Sequence, residues 1–456
     1  MVDVHVIETP GLGDRSYVAT DGDVAVVVDP QRDVDRVLDV VGDARITHVF
    51  ETHVHNDYVT GGFALARRTG AAYVLNADDE VAFERTPIRD GETVTSGSMA
   101  ITAVSTPGHT PTHLSYVLSV DDHPIAVFTG GSMLFGAVGR TDLIDPAIAE
   151  ELTRQQFRSA RRLAASLPDD TEVFPTHGFG SFCSATETKG DASTIGKEKQ
   201  QNNALTSDED DFVDELLSGL TAYPRYYAHM GPLNLEGPSG PDLSLPALVD
   251  PVVLRARIDA GEWVVDLRAR RAFAAGHAPG TISVELADPF ATHLGWAIPW
   301  GTPLTLVGDD EDQVLEARRH LVRIGIDQLA GASVDAPEVL SPDGRPASYR
   351  RATFADLADE LPRRGDDIAV LDVRRPDEWT DGHIAGATLI PFWELEHRMD
   401  EVPAGEVWVH CQSGYRASIG ASLVDRAGGR TVVHIDDEWD AVADTDLPVD
   451  RGHGHD

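Results

Sequence analysis

Lysine is nearly absent from this chain. Only Lys189, Lys197 and Lys199 occur in 456 residues, so arginine supplies the rest of the 37 basic side chains. Against them stand 76 acids, for a formal net charge of -39. This balance excludes nucleic acid and anionic membrane surfaces as partners, because both are bound through Lys and Arg that displace counterions. In ordinary salt such a surface strains the fold by self-repulsion. At molar salt the screening length falls to about 3 Å and the strain largely vanishes. The acids are spread over the whole length instead of gathering in a tail, so the expectation is a halophilic protein in a salt-saturated cytosol, with an acidic mesophile protein as the alternative.

Long apolar runs are missing too. "DVAVVVD" and "HPIAVF" are far too short to span a bilayer. The opening "MVDVHVIETPG" lacks the basic, apolar, small-residue order of a signal peptide, and the expected location is the cytoplasm. Cysteine is scarce. Two residues, Cys183 and Cys411, exclude a disulfide framework and leave free thiols, which a reducing compartment keeps mainly for chemistry. The three lysines fall within eleven residues just after Cys183, which points to an anion- or thiolate-stabilising role, since ammonium groups lower a thiol's pKa.

Hydrophobic content of 41% is ample for ordinary cores, and roughly 150 residues per domain gives about three domains. The first 180 or so residues read as short strands broken by turns, with His53, His109 and His177 at strand ends, where a rigid scaffold displays chemistry. Pro- and Gly-rich breaks follow at 229–249 and 341–348. Beyond the first break the sequence repeats. "DLRARRAFAAGHAPGTISV" at 266–284 matches "DVRRPDEWTDGHIAGATLI" at 372–390, with Asp266, Arg268, Gly276, His277 and Gly280 each returning 106 residues later. This is a duplicated parallel-sheet α/β unit. The predicted domains are 1–235, 250–340 and 350–450.

The second copy continues into "VWVHCQSGYRAS", 407–418. A strand delivers Cys411, and a loop of Gln412, Ser413, Gly414 and Tyr415 leads to Arg416 where a helix begins. Backbone N–H groups curling around the sulfur, with the helix N-terminus behind them, favour a thiolate. The first copy reaches this place as "PLTLVGDDEDQ" and has no cysteine, so it cannot perform the same chemistry. Cysteine phosphatases have a similar loop with five residues between Cys and Arg, whereas Cys411 and Arg416 are separated by four. By "DVR", "GHIAGA" and "CQSGYR", residues 350–448 resemble the rhodanese family of sulfurtransferases. That resemblance implies that Cys411 carries a persulfide and Arg416 helps to hold an anionic donor. Residues 250–340 resemble the same domain without its nucleophile.

In the first segment, "ETHVHNDYVTGG" at 51–62 sets His53, His55 and Asp57 two apart. With "STPGHTPTHLSY", "FTGGSMLFGAVGRTDL" and "VFPTHGFGS", it is similar in order and spacing to the metallo-β-lactamase fold. "GRTDL" and "HGFGSFC" narrow the resemblance to its persulfide dioxygenase branch, some of whose relatives are fused to an inactive and an active rhodanese. The fold implied is an αββα sandwich followed by two rhodanese-like parallel-sheet α/β domains. The branch oxidises a low-molecular-weight thiol persulfide with O₂ to sulfite at Fe(2+). Carried over, the iron ligands are His53, His109 and an aspartate of "TGD", where this chain reads Thr129-Gly130-Gly131. Tyr58 likewise replaces the histidine that follows Asp57 in the broader fold. The remaining candidates for a metal are His53, His55, Asp57, His109 and His177, with His53, His55 and His109 as the expected trio and Zn2+ as the alternative ion. Cys183 is expected to accept or relay sulfane sulfur or to be a buried structural thiol. The tail "RGHGHD" could bind stray metal at His453 and His455.

The function expected is persulfide oxidation coupled to sulfane-sulfur transfer through Cys411, with sulfite and thiosulfate among the products. A zinc-dependent thioester hydrolase of the glyoxalase II type, or a sulfurtransferase with a degenerate metal domain, are the alternatives. A homo-oligomer is left open.

Overall fold

The computed structural model describes residues 2–184, 188 and 190–452; Lys189, His453 and His455 lie outside them. The chain divides into two compact units, Met1–Asp242 with Leu321–Gly325, and Leu243–His320 with Ile326–Asp456. Among the described residues no helix is long and apolar enough to cross a membrane.

The first unit holds two six-stranded sheets. One runs through Val2–Thr9, Asp14–Asp21, Val24–Val28, Arg45–Phe50, Ala72–Asn76 and Thr86–Ile88. The other runs through Ser193–Thr194, Glu172–Pro175, His123–Gly130, Leu114–Val120, Met99–Ser105 and Thr93–Ser96. Period-two alternation aims Met99, Ile101 and Ala103 inward, where they meet Tyr17, Val26, Val28, Phe50 and Phe128 in a core shared by both sheets. Helices Asp35–Val41 and Gly62–Thr69 cover the outer face of the first sheet, and Ala149–Ser166 and Glu209–Ser218 cover the second. The layers are helix, sheet, sheet, helix, as expected.

Two parallel pairs position the chemistry. Val24–Val28 runs parallel to Arg45–Phe50, and His123–Gly130 parallel to Glu172–Pro175. Parallel neighbours end on the same edge, so the segments after them, carrying Asp29, His53, Gly131 and His177, gather there.

The second unit contains a four-stranded sheet in the order Ile282–Ser283, Trp263–Asp266, Leu304–Val307, Leu329–Ser333. It also contains a five-stranded sheet, Arg350–Ala352, Arg430–Ile435, Gly405–His410, Ile368–Asp372, Thr388–Leu389. Both are parallel throughout. Trp263–Asp266 and Leu304–Val307 are buried at every residue, as strands covered on both faces are.

The repeated residues make the same bonds twice. Arg268 clasps Asp266 (Nη2–Oδ2 2.7 Å) and donates to the Gly276 carbonyl at 2.9 Å; Arg374 does the same to Asp372 and Gly382, both at 2.7 Å. His277 donates from Nδ1 to Phe273 O and stacks on the Phe273 ring at 3.9 Å. His383 treats Trp379 identically, with a stacking distance of 3.6 Å. The D-x-R and Gly-His positions therefore tie the strand end to the following turn, which is structural work.

Candidate functional site

Three buried imidazoles converge at the sheet edge of the first unit: single ligand atoms of His53, His109 and His177 all lie within 4.8 Å of one another. His53 Nε2 and His177 Nε2 are 3.3 Å apart. The opposite nitrogen of each ring is engaged. His53 Nδ1 donates to Thr52 Oγ1 at 2.9 Å, whose own proton goes to Asp29 Oδ2 at 2.7 Å. His109 Nδ1 donates to the Arg140 carbonyl at 2.7 Å. His177 Nδ1 faces Asp14 at 2.9 Å and Asp57 at 3.1 Å. Carbonyls and carboxylates accept, so each Nδ1 carries a proton and the three Nε2 atoms face one another. Outer bonding of this kind orients imidazoles around a metal. Burial depresses His53 strongly and takes His109 down to about 3, leaving both neutral. Burial would lower His177 as well, but Asp57 and Asp14 override it and raise it to about 10, so a cation would compete with a proton there. A His₃ set of this geometry fits zinc or iron.

His55 is not in this trio, which corrects the expected grouping of His53, His55 and His109. Its Nε2 lies 3.2 Å from Glu51, 3.3 Å from Asp29 and 3.0 Å from Tyr58 Oη. Burial alone would lower its pKa, but Asp29 and Glu51 raise it to about 9. Two buried carboxylates and the stacked Tyr58 ring, 4.3 Å away, draw it aside, and His177 completes the trio instead. His55 can still group with Asp57 and His177.

The glycine at 131 has a spatial counterpart. A Cβ there would stand 2.3 Å from His109 Cδ2, and one at Gly139 would stand 2.7 Å from His109 Nδ1. The His109 ring thus fills the space where an aspartate side chain would begin. Gln156, on helix Ala149–Ser166, fixes this arrangement. Its Oε1 accepts from His109 N at 2.7 Å, and its Nε2 donates to the carbonyls of Gly131 and Ser132. Sequence reasoning missed Gln156 and also His113. The latter stacks on His53 at 4.9 Å, donates to Thr106 Oγ1 and accepts from Gly131 N at 3.1 Å. Its spacing of four from His109 was the available signal.

Cys183 is buried beside Asp57. Burial, Asp57 and Asp14 push its thiol well up. Of the three lysines after it, Lys199 pairs with Asp169 and Lys197 is exposed, and among the described residues the charges set against the sulfur are Asp57 and Asp14, with Arg140 opposing them. Arg140 joins Cys183 to the histidine cluster, its backbone N–H donating to the Cys183 carbonyl at 2.9 Å and its carbonyl accepting from His109.

In the second unit, strand Gly405–His410 delivers the buried Cys411 and helix Tyr415–Ala427 starts four residues later. The turn is made at Gly414, φ 81°, where a Cβ would meet Asp436 Oδ1 at 2.6 Å; the residue must be glycine. His434 Nε2 donates to the Gly414 carbonyl at 2.9 Å, and the Gln412 carbonyl accepts from Trp439 N at 2.7 Å. These two bonds fix the loop through its carbonyls. Arg416 is clasped by Glu378 at 2.6 and 2.7 Å, a partner that the sequence reading did not name. Burial would raise Glu378, but Arg416 pulls it down to about 2. The Arg416 charge also reaches Cys411.

Comparison with known proteins places both units. Residues 10–177 match the metallo-beta-lactamase superfamily and 353–445 the rhodanese-like domain. Human mitochondrial persulfide dioxygenase ETHE1 is 27% identical over 241 residues, 52% of this chain and 80% of that protein. A probable polyketide biosynthesis zinc-dependent hydrolase, BaeB of Bacillus velezensis, is 31% identical over 170 residues, 34% of this chain and 68% of that protein. A crystal structure of a metallo-beta-lactamase from Staphylococcus aureus subsp. aureus COL superposes with a TM-score of 0.66 at 26% identity, covering 73% of this chain and 98% of that one. This chain belongs to the metallo-β-lactamase superfamily and carries a rhodanese-like domain after its metallo-β-lactamase fold.

Proposed function

We propose that this protein is an enzyme of sulfur metabolism that oxidises a low-molecular-weight thiol persulfide with O₂ to sulfite and moves sulfane sulfur through Cys411. The observation that supports it most is the convergence of three buried Nε2 atoms, from His53, His109 and His177, in a chain that also holds the Cys411 loop. Iron bound there would supply O₂ chemistry. The chain's own residues do the rest at that site. Thr52, Arg140 and Asp14 keep the imidazole protons on Nδ1, Gln156 holds the His109 turn, and the surrounding burial excludes water. Asp57 and the Cys183 thiol form the adjoining wall.

At the second site the loop N–H groups and the Arg416 potential stabilise a thiolate. Cys411 Sγ attacks the sulfane sulfur of a persulfide or thiosulfate, releasing thiolate or sulfite, and the resulting Cys411 persulfide passes its outer sulfur to an acceptor. One chain with both sites raises the effective concentration of the shared intermediate. Residues 250–340 are read as a rhodanese-like module without a nucleophile, and the cytoplasm of a halophile as the setting.

The test is O₂ uptake by iron-loaded protein given a thiol persulfide, with His109→Ala expected to abolish it. Uptake unchanged in His109→Ala, or none in the wild type, removes the dioxygenase half. The His₃ set also suits zinc, and the BaeB relative is named as a zinc-dependent hydrolase; zinc in the purified protein with thioester hydrolysis would put that reading first.

A further inference from the structure

The second unit places a histidine of the first repeat against the Cys411 loop. His293 lies on helix Phe290–Ala297, with its ring 5.3 Å from that of Tyr415 and 5.5 Å from that of Phe392. Its neighbourhood is built, with several bonds joining the two repeats there. Tyr415 Oη donates to the Glu285 carbonyl at 2.5 Å. Arg270 bridges Glu285 at 2.6 Å and Asp436 at 2.7 Å, and Asp436 is the residue pressed on Gly414. Trp296 stacks on Trp393 at 4.3 Å, and Ser283 N donates to Ser422 Oγ at 3.0 Å. A repeat kept only as a spacer would not need to grip the loop at both Tyr415 and Asp436.

The polar groups brought to the loop are nearly all used. Arg416 is held by Glu378, His434 by Gly414, Asp436 by arginines and Tyr415 by Glu285. His293 donates from Nδ1 to the Pro289 carbonyl at 2.9 Å, which fixes its tautomer and leaves the Nε2 lone pair uncommitted among the described residues. Burial and the Arg416 charge hold its pKa down at about 4, so near neutral pH it is an uncharged acceptor. A group of this kind recognises a ligand that brings a hydrogen.

Resting on the reading of Cys411 as a sulfur carrier, we infer that His293 determines acceptor specificity by taking a hydrogen bond from an incoming thiol. Held by that hydrogen bond, the thiol sulfur attacks the outer sulfur of the Cys411 persulfide. A new S–S bond forms, the Sγ–S bond breaks with its electron pair returning to Sγ, and the thiol proton is released to solvent. The products are a persulfide anion, the Cys411 thiolate and one proton. An acceptor with no hydrogen, such as cyanide, gains nothing from His293.

The experiment compares glutathione and cyanide as acceptors with thiosulfate as donor, in wild type, His293→Ala and His293→Gln. His293→Ala is expected to lower kcat/KM for glutathione by about tenfold or more while cyanide stays within about twofold. His293→Gln, whose amide oxygen accepts a hydrogen bond, is expected to recover much of the glutathione rate. Unchanged glutathione transfer, or equal losses with both acceptors, overturns the role of His293. Wild-type protein silent with cyanide as well, or transfer that survives Cys411→Ser, overturns instead the reading of Cys411.

Discussion

His109 owes its place to two residues without side chains. Gly131 and Gly139 flank its ring at distances where a Cβ would collide, so an acidic side chain at 131 and the present position of the imidazole exclude one another. Gly131→Asp is expected to displace His109, lower metal content and destabilise the fold by about 1–3 kcal/mol, the usual cost of overpacking. Metal analysis alongside thermal melts would show it, and a variant that binds more iron than wild type at an unchanged Tm would refute the steric account. Cys183 is decided at the same scale. Three nearby lysines in sequence suggest an activated thiolate, yet only side-chain placement shows that Asp57 and Asp14 are its real neighbours.

At the scale of elements, the Cys411 loop depends on an ion pair between two segments, helix Pro376–Asp381 and the start of helix Tyr415–Ala427. Glu378 and Arg416 are both largely buried, at 16% and 13% side-chain exposure, so removing one partner strands the other charge. Glu378→Gln is expected to cost about 3–5 kcal/mol. The pH dependence has a definite sign. Glu378 falls from 4.5 to about 2 on folding, so its contribution is full above about pH 4.5 and disappears as pH drops toward 2. Urea titrations across that window should show wild type losing stability more steeply than Glu378→Gln; parallel slopes would mean that the pair carries no such linkage. The duplicated D-x-R and Gly-His residues belong to this scale as well. They were legible as a repeat, but their role as clamps between strand end and turn became visible only when Arg268 and Arg374 were seen making matching bonds.

For the whole molecule, charge is the governing quantity. A net -39 carried mostly by exposed carboxylates gives a repulsion that salt screens, with the Debye length shrinking from about 10 Å at 0.1 M to about 3 Å at 1 M. Melting temperature is expected to climb markedly over that range of KCl, followed by circular dichroism. A flat response would leave the acid excess without a stabilising context in salt.

Linear order alone determined the kinds of unit present. Alternating and continuous apolar strands, the ungapped match at a spacing of 106 residues, the absence of cysteine between 184 and 410 and the six-residue Cys411 loop are local patterns, and local patterns survive in one dimension. It also named His53, His55, His109 and His177, though not His113. Tertiary structure decided which members act together. His177 rather than His55 joins His53 and His109, because buried Asp29 and Glu51 attract one imidazole while Asp14 and Asp57 orient the other, across 163 and 120 residues of chain respectively. Charges so distant along the backbone compete only once the sheets bring their ends to one edge. The pairing of Glu378 with Arg416 and the approach of His293 to Tyr415 have the same origin: proximity produced by folding, which spacing along a chain does not encode.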